Sequence, residues 1–449
     1  MPIPAAQDRT RPPTRLNRRV LVVTDNVDGS VALIGHLRAL GLDVSLSAYD
    51  GTGAVDLPDR SPSAALCFLS DYVEHGTDIV ARIRNAYAPR DFPVLGRLMR
   101  EAGDDHPYDS VLYDPVHAVQ VAQRLYSLIR LGQMEAEIIR RQATLRDSFG
   151  QDFELADTPL RQPFRVLFIG KADPAYMAVV NALQDKNVDV IAAFTSFSAF
   201  DYLHESSFDA VVINARHGSE PAMTIAETMR RNPQLFHVPT LLLVNGAEFR
   251  EADVAYSHGI KDVIDAEAPL FEVSGRILEL ANDCRIHRQL KDEFDHMGGP
   301  DCSDPETGVM NARFLEPHLR RVSHDCRRRG VPLGIMTLKL TARSTADLPV
   351  ETVASAYAQS VRTVSGVVRM QDIVARMDRT SVIIAFPEEN RQDVARIAAR
   401  IKALIETSTF PQIEGAGLRM GAETAIMMQD DAQHAPNPRR APGAMTLAV

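Results

Sequence analysis

A chain of 449 residues is longer than one hydrophobic core serves and suits about three domains of ordinary size. A net charge of −10 excludes a general nucleic-acid or membrane-surface binder, and 45% hydrophobic with 24% charged residues describes a globular chain. No apolar run reaches the roughly 18 residues that cross a bilayer, and four cysteines without CxxC spacing fit a reducing cytoplasm, with neither disulfide frame nor zinc site.

Residues 1–17, within "MPIPAAQDRTRPPTRLNRR", are polar and Pro/Arg-rich, which reads as a disordered leader and not a signal peptide. From Arg18 the chain alternates short apolar runs with helical periodicity: "RRVLVVTDN", "SAALCFL", "FPVLGRL" and "YDSVLYDP". About 146 residues later the series returns as "FRVLFIGKA", "FDAVVIN", "VPTLLLVN" and "IKDVIDAEAP". Two five-stranded parallel α/β units are expected, over 18–150 and 163–297. Each closes on a long charged helix. In the first, Leu128, Leu131, Met134 and Ile138 form a stripe that suits either core packing or pairing in a dimer. A third unit, 298–427, follows "GGPDCSDPETG", and the polar, Pro-rich 428–449 reads as a disordered tail.

The order and spacing of the first two units resemble the flavodoxin-like receiver domain of two-component response regulators. That family accepts phosphate on an aspartate ending its third strand. It holds Mg²⁺ with acids after the first strand, because the ion demands hard oxygen ligands. Little of the set stands here. Asp25 follows the first strand, but Phe68 or Leu69 falls at the acceptor position, Asp71 lies two or three residues late, and Asp114 replaces the lysine. In the second unit Lys171-Ala172-Asp173 replaces the acidic pair, Asn214 the acceptor, and Asn245 the Thr/Ser. An amide is a poor nucleophile, so the resemblance implies dimerisation and docking through these units without phosphotransfer.

From Asp304 the chain reads "DPETGVMNARFLEPHL", which resembles the opening of GGDEF domains, the diguanylate cyclases. Asp304, Thr307, Gly308, Asn311, Arg313 and Phe314 fit, and Glu306 departs. About 55 residues on, Arg369, Asp372 and Arg376 keep the register of the family's Arg-x-x-Asp and hairpin. The hairpin tip, however, reads Met377-Asp378-Arg379-Thr380-Ser381-Val382, without its glycines or acid pair, and Leu338-Lys339-Leu340-Thr341 replaces a metal-ligand motif. Glycines let backbone N–H groups approach a phosphate, and a lysine repels Mg²⁺. The fold class expected is thus two receiver-like units, then a GGDEF-like α+β domain.

In the family the Arg-x-x-Asp is an inhibitory site for product cyclic di-GMP, with a further arginine on the following helix, here Arg400. An arginine fork can pair with the O6/N7 edge of guanine or with a phosphate. The resemblance therefore implies a catalytically inactive response regulator binding cyclic di-GMP through Arg369, Asp372 and Arg400. Arg376 and Arg396 are extra phosphate contacts or surface charge in equal measure. No catalytic residue, metal or cofactor is expected, nor nucleic-acid binding or membrane insertion. The furthest implications are a homodimer, protease-adaptor partners, cell-cycle-linked proteolysis and a cytoplasmic, polar location. A residual diguanylate cyclase and a ligand-free dimeric scaffold are the alternatives.

Overall fold

The structure is a computed structural model that describes residues 18–50, 55–59, 61–69, 72–88, 92–98, 106–152, 162–171, 173–184, 186–216, 218, 220–232, 234–246, 252–297, 299, 301–344, 349–408 and 418–429. The 1–17 leader, Ala172, Asp71 and all of the 428–449 tail but Met428 and Gln429 lie outside them. The chain divides into two compact units, one holding 18–132 and 157–289, the other 133–156 and 290–449.

The first unit contains both parallel sheets. In one, β1 (Arg18–Thr24), β2 (Leu42–Ala48), β3 (Ala64–Phe68), β4 (Val94–Leu98) and β5 (Ser110–Tyr113) lie in the order β2-β1-β3-β4-β5, all parallel. Between them run α1 (Val27–Ala39) and α2 (Tyr72–Ala86), and α3 (Ala118–Thr144) follows β5. Val20 to Val23 are wholly buried because helices cover both faces, which is why the strand reads as an unbroken apolar run.

The second sheet repeats the topology. Its strands are β6 (Phe164–Ile169), β7 (Val188–Ala193), β8 (Ala210–Asn214), β9 (Thr240–Val244) and β10 (Asp262–Asp265), ordered β10-β9-β8-β6-β7. Its helices are α4 (Pro174–Gln184), α5 (Ser196–Glu205), α6 (Glu220–Arg231), α7 (Ala252–Ser257) and α8 (Leu270–His296). This is the doubly wound order of a flavodoxin-like fold.

Within this unit the two sheets' last strands and helices cover one another. The buried Gln120 of α3 donates to Asp262 of β10 at 2.6 Å, and Arg276 of α8 grips the same carboxylate through two 2.6 Å bonds. Arg124 reaches Asp283 at 2.5 Å, and the Tyr113 and Phe271 rings meet edge to face. Part of each sheet-and-helix layer is thus covered by the chain's own second copy of the fold.

The second compact unit carries a mixed sheet, β11-β13-β14-β12-β15, built from β11 (Met310–Asn311), β12 (Leu333–Arg343), β13 (Ile373–Arg376), β14 (Ser381–Pro387) and β15 (Arg419–Met428). All its pairings are antiparallel except β11 with β13. One face packs Met336, Leu338, Ile384 and Phe386 with α10 (Val350–Ser365) and α11 (Arg391–Thr407). The other packs Ile335, Ile383 and Ala385 with Phe314, Leu315 and Val322 of α9 (Ala312–Arg328). Full burial of each large side chain contributes about 1.5–3 kcal/mol, so alternation along β12 and β14 holds the α+β arrangement.

Gly334 on β12 is where helix and sheet meet most closely: a Cβ there would lie 2.5 Å from Cγ2 of Val394 on α11. Gly334→Ala is expected to cost about 1–3 kcal/mol through overpacking, read as a lower urea midpoint; an unchanged midpoint would show that α11 can shift.

Candidate functional site

The acceptor position of the first sheet is filled. Leu69 is 5% exposed and packs with Cys67 and Ile79. The Arg97 guanidinium lies 3.7 Å over the Phe68 ring, and its Nε donates to Asp114 at 2.5 Å. Asp114, standing where the resemblance expects lysine, therefore answers an arginine on the neighbouring strand.

In the second sheet Asn214 holds the acceptor position, and beside it stands Arg216. Its Nη1 lies 3.4 Å from Asp173 Oδ2 and its Nε 3.4 Å from Asn245 Oδ1. Asn214 Nδ2 donates to the same Asp173 oxygen at 3.2 Å and to the Lys171 carbonyl at 3.3 Å. The loop that brings these groups together turns at Gly170 (φ +136°), where a Cβ would meet the Asn214 Cβ at 2.8 Å. An internal cation thus sits among the groups that would surround a metal ion. Among the described residues no cluster of three or more His, Cys, Asp or Glu is placed to hold a metal.

In the unit that carries the mixed sheet, the hairpin tip between β13 and β14 is closed by its single acid. Asp378 Oδ1 accepts from the backbone N–H of Thr380 (2.7 Å) and Ser381 (2.9 Å) and from the Thr380 hydroxyl (3.0 Å). Burial would raise this carboxyl, but those hydrogen bonds hold it below the usual carboxylate range. The backbone N–H groups that could face a phosphate are therefore occupied by a carboxylate of the turn itself. Arg379 is engaged by the Val350 carbonyl at 2.9 Å, and Lys339 of the neighbouring strand is exposed.

Arg369, Asp372 and Arg400 meet at one turn, between α10 and β13. Arg400 Nη2 on α11 donates to the Val367 carbonyl at 2.8 Å. Asp372 Oδ2 accepts the Arg369 backbone N–H at 2.9 Å, and the Asp372 N–H returns a 3.0 Å bond to the Arg369 carbonyl. Asp372 is 5% exposed. Burial, opposed by the Arg369 and Arg400 charges, pushes it up to about 6. Its carboxylate is turned into the protein and braces the turn; the Arg369 side chain is 26% exposed, and Arg400 is exposed.

Two features were not legible beforehand. Arg376, expected among the ligand contacts, makes its bonds elsewhere: its side chain is 8% exposed and donates to Asp304 at 3.0 Å and Glu306 at 2.6 Å. The departure at Glu306 thus has a partner in Arg376. The second feature is Glu389, a 2% exposed acid ion-paired with Arg369. In sequence it reads as one of two acids ahead of helix α11, where the helix dipole favours negative charge; no spacing rule links it to Arg369. Among the described residues no helix is long and apolar enough to cross a membrane.

No family model matches the chain. The chain is similar to the response regulator PleD of Caulobacter vibrioides, 22% identical over 436 residues that cover 89% of both proteins. Among solved structures, a response regulator from Thermotoga maritima aligns with 27% of this chain and 98% of its own (19% identity, TM-score 0.25). The GGDEF domain of DgcB from Caulobacter crescentus, solved with cyclic di-GMP, aligns with 28% of this chain and 74% of its own (14% identity, TM-score 0.24). The likeness to PleD thus runs along nearly the whole chain, across two five-stranded parallel sheets of flavodoxin-like order and the mixed sheet that follows them.

Proposed function

We propose that this protein is a cyclic di-GMP effector: its third unit binds the dinucleotide at the Arg369–Asp372–Arg400 turn and does not synthesise it. The observation that carries the reading is the contrast between two turns of one domain. At the α10–β13 turn two arginines from separate elements converge on a braced loop. At the β13–β14 tip, a carboxylate and an arginine side chain occupy what a nucleotide phosphate would need. Cyclic di-GMP offers two guanine edges and two phosphates, the groups that arginine forks grip best.

The receiver folds then serve as protein surfaces, since Arg97 and Arg216 occupy the positions of phosphotransfer chemistry. Ligand binding shifts such a protein between arrangements only as far as the ligand's affinities for them differ, and a partner protein would read the favoured one.

Two measurements on the full chain test this together. Calorimetric titration with cyclic di-GMP is expected to show saturable binding, and incubation with Mg²⁺ and GTP is expected to yield no cyclic di-GMP by chromatography. Binding without product supports the effector. Product would establish the cyclase alternative, and neither would leave the ligand-free scaffold.

A further inference from the structure

The acid that pairs with Arg369 is unusually placed. Glu388, just before it, adopts a left-handed backbone (φ 67°), a conformation few residues other than glycine take without cost. That residue is held there by Arg329, by Gln133 Nε2 at 2.8 Å, and through its own N–H by the Pro332 carbonyl at 2.8 Å. The bend sets Glu389 inside the protein: one carboxylate oxygen takes Arg369, and the other is buried with no hydrogen-bond partner. A buried carboxylate with one open oxygen is costly as an anion and less costly as an acid, whose proton would sit on that oxygen.

We infer that Glu389 is a positioning residue for the dinucleotide site: its carboxylate holds the Arg369 guanidinium inward, and releasing Arg369 to the ligand goes with uptake of one proton by Glu389. The inference rests on the reading of Arg369 as a ligand contact. The charges facing Glu389 come from every surrounding element. Arg369 and Asp372 lie on the turn before β13, and Glu388 with its partner Arg329 lies beside it. Asp393, paired with Arg396, opens α11, and Arg400 lies a further two turns along. Glu137 of α3 acts on Asp372. Burial first of all, with Asp372 and Asp393 adding to it, pushes Glu389 up to about 7 against the pull of Arg369.

The sign follows from linkage. In the free protein Glu389 is ionised above about pH 7 and paired with Arg369. In the complex Arg369 has left, so the carboxyl rises further and binds a proton that the free protein lacked. Affinity is therefore level below about pH 7 and falls by up to about tenfold per pH unit above it. Asp372 titrates at about 6, below that window, and does not produce the slope.

The test is calorimetry of the full chain with cyclic di-GMP at pH 6.5 and 8, in two buffers of different ionisation heat. The wild type is expected to bind about tenfold more weakly at pH 8 and to take up close to one proton there. Glu389→Gln keeps the shape without the charge. It is expected to bind at pH 8 as the wild type does at pH 6.5, with a flat profile and no proton uptake. A variant with the wild-type pH slope, or one weaker than the wild type at pH 8, overturns the inference. A ligand-independent measurement stands beside it. The infrared band of a protonated carboxyl should grow in the free wild type between pH 8 and pH 6.5, and in Glu389→Gln shrink to the smaller part that Asp372 contributes at the lower pH. Its absence from the wild type overturns the inference even if binding is strong. Growth of the band with no binding at any pH overturns it differently, because then the dinucleotide site itself has failed.

Discussion

Glu137→Ala is expected to destabilise the unit that contains the mixed sheet by about 3–5 kcal/mol, the cost of breaking a buried charge cluster by removing one partner. Glu137, on the last turns of α3, is wholly buried, as are His318 of α9 and Thr144. His318 Nε2 lies 2.9 Å from Glu137 Oε1 and its Nδ1 lies 3.0 Å from the Thr144 hydroxyl. Arg141 and Arg140 donate to the two carboxylate oxygens at 2.9 and 3.1 Å. Burial would raise Glu137, but His318, Arg141 and Arg140 more than reverse it and hold the carboxyl low. Without that carboxylate, Arg141 keeps its stacking on Phe294 and Arg140 keeps Asp325, while the His318 Nε2–H loses its acceptor inside the core. Hydrogen exchange of the α9 amides measures the loss locally, without requiring a chain of two compact units to unfold in one step. Glu137→Gln, which retains an acceptor for His318, should cost less than Glu137→Ala. Burial also lowers His318, so the unfolded chain binds its proton first. That contribution is complete above about pH 6.5 and is lost as the pH falls below it. A loss below about 1 kcal/mol in Glu137→Ala would mean that the cluster contributes no more than a surface pair.

The same cluster shows where sequence reading stops. The strands were legible because a parallel sheet covered on both faces needs unbroken apolar runs, and Val20–Val23 and Val166–Ile169 are such runs. The repeat at a fixed offset then implied a common topology, which the two sheet orders bear out. Charged contacts carry no such periodicity. Glu137 and His318 are 181 residues apart, and Glu137 sits on the helix face that the apolar stripe marks as buried. Only the fold brings Arg97 over Phe68, Arg216 onto Asp173, or Glu389 onto Arg369. In sequence Asp378 is only the one acid of a tip without the family's glycines or acid pair, whereas in the fold it closes the turn. Arg376 was open to reading as a ligand contact because its spacing suited one; the acid at 306 that engages it lies 70 residues away.

Arg369→Ala should lower cyclic di-GMP affinity by about a hundredfold or more, since charge-assisted hydrogen bonds contribute about 1.5–3 kcal/mol each and a bidentate guanine contact about 1–3. Arg369 is the guanidinium on the turn that Asp372 braces, and its side chain is a quarter exposed. Its removal also leaves Glu389 buried without its cation. That acid, already raised to about 7 by burial, takes up a proton, so the fold should tolerate the change. Arg369→Lys separates charge from geometry: an ammonium keeps the attraction to phosphate but lacks the planar fork, and should recover only part of the loss. Arg400→Ala should weaken binding less, because part of its work is to hold the Val367 carbonyl. Arg379→Ala is the control. That arginine is spent on Val350 at the β13–β14 tip, and its loss should leave affinity within about twofold unless the ligand binds at that tip. If Arg369→Ala binds within threefold of wild type while Arg379→Ala does not bind, the dinucleotide is held by the β13–β14 hairpin. The two turns would then have exchanged roles.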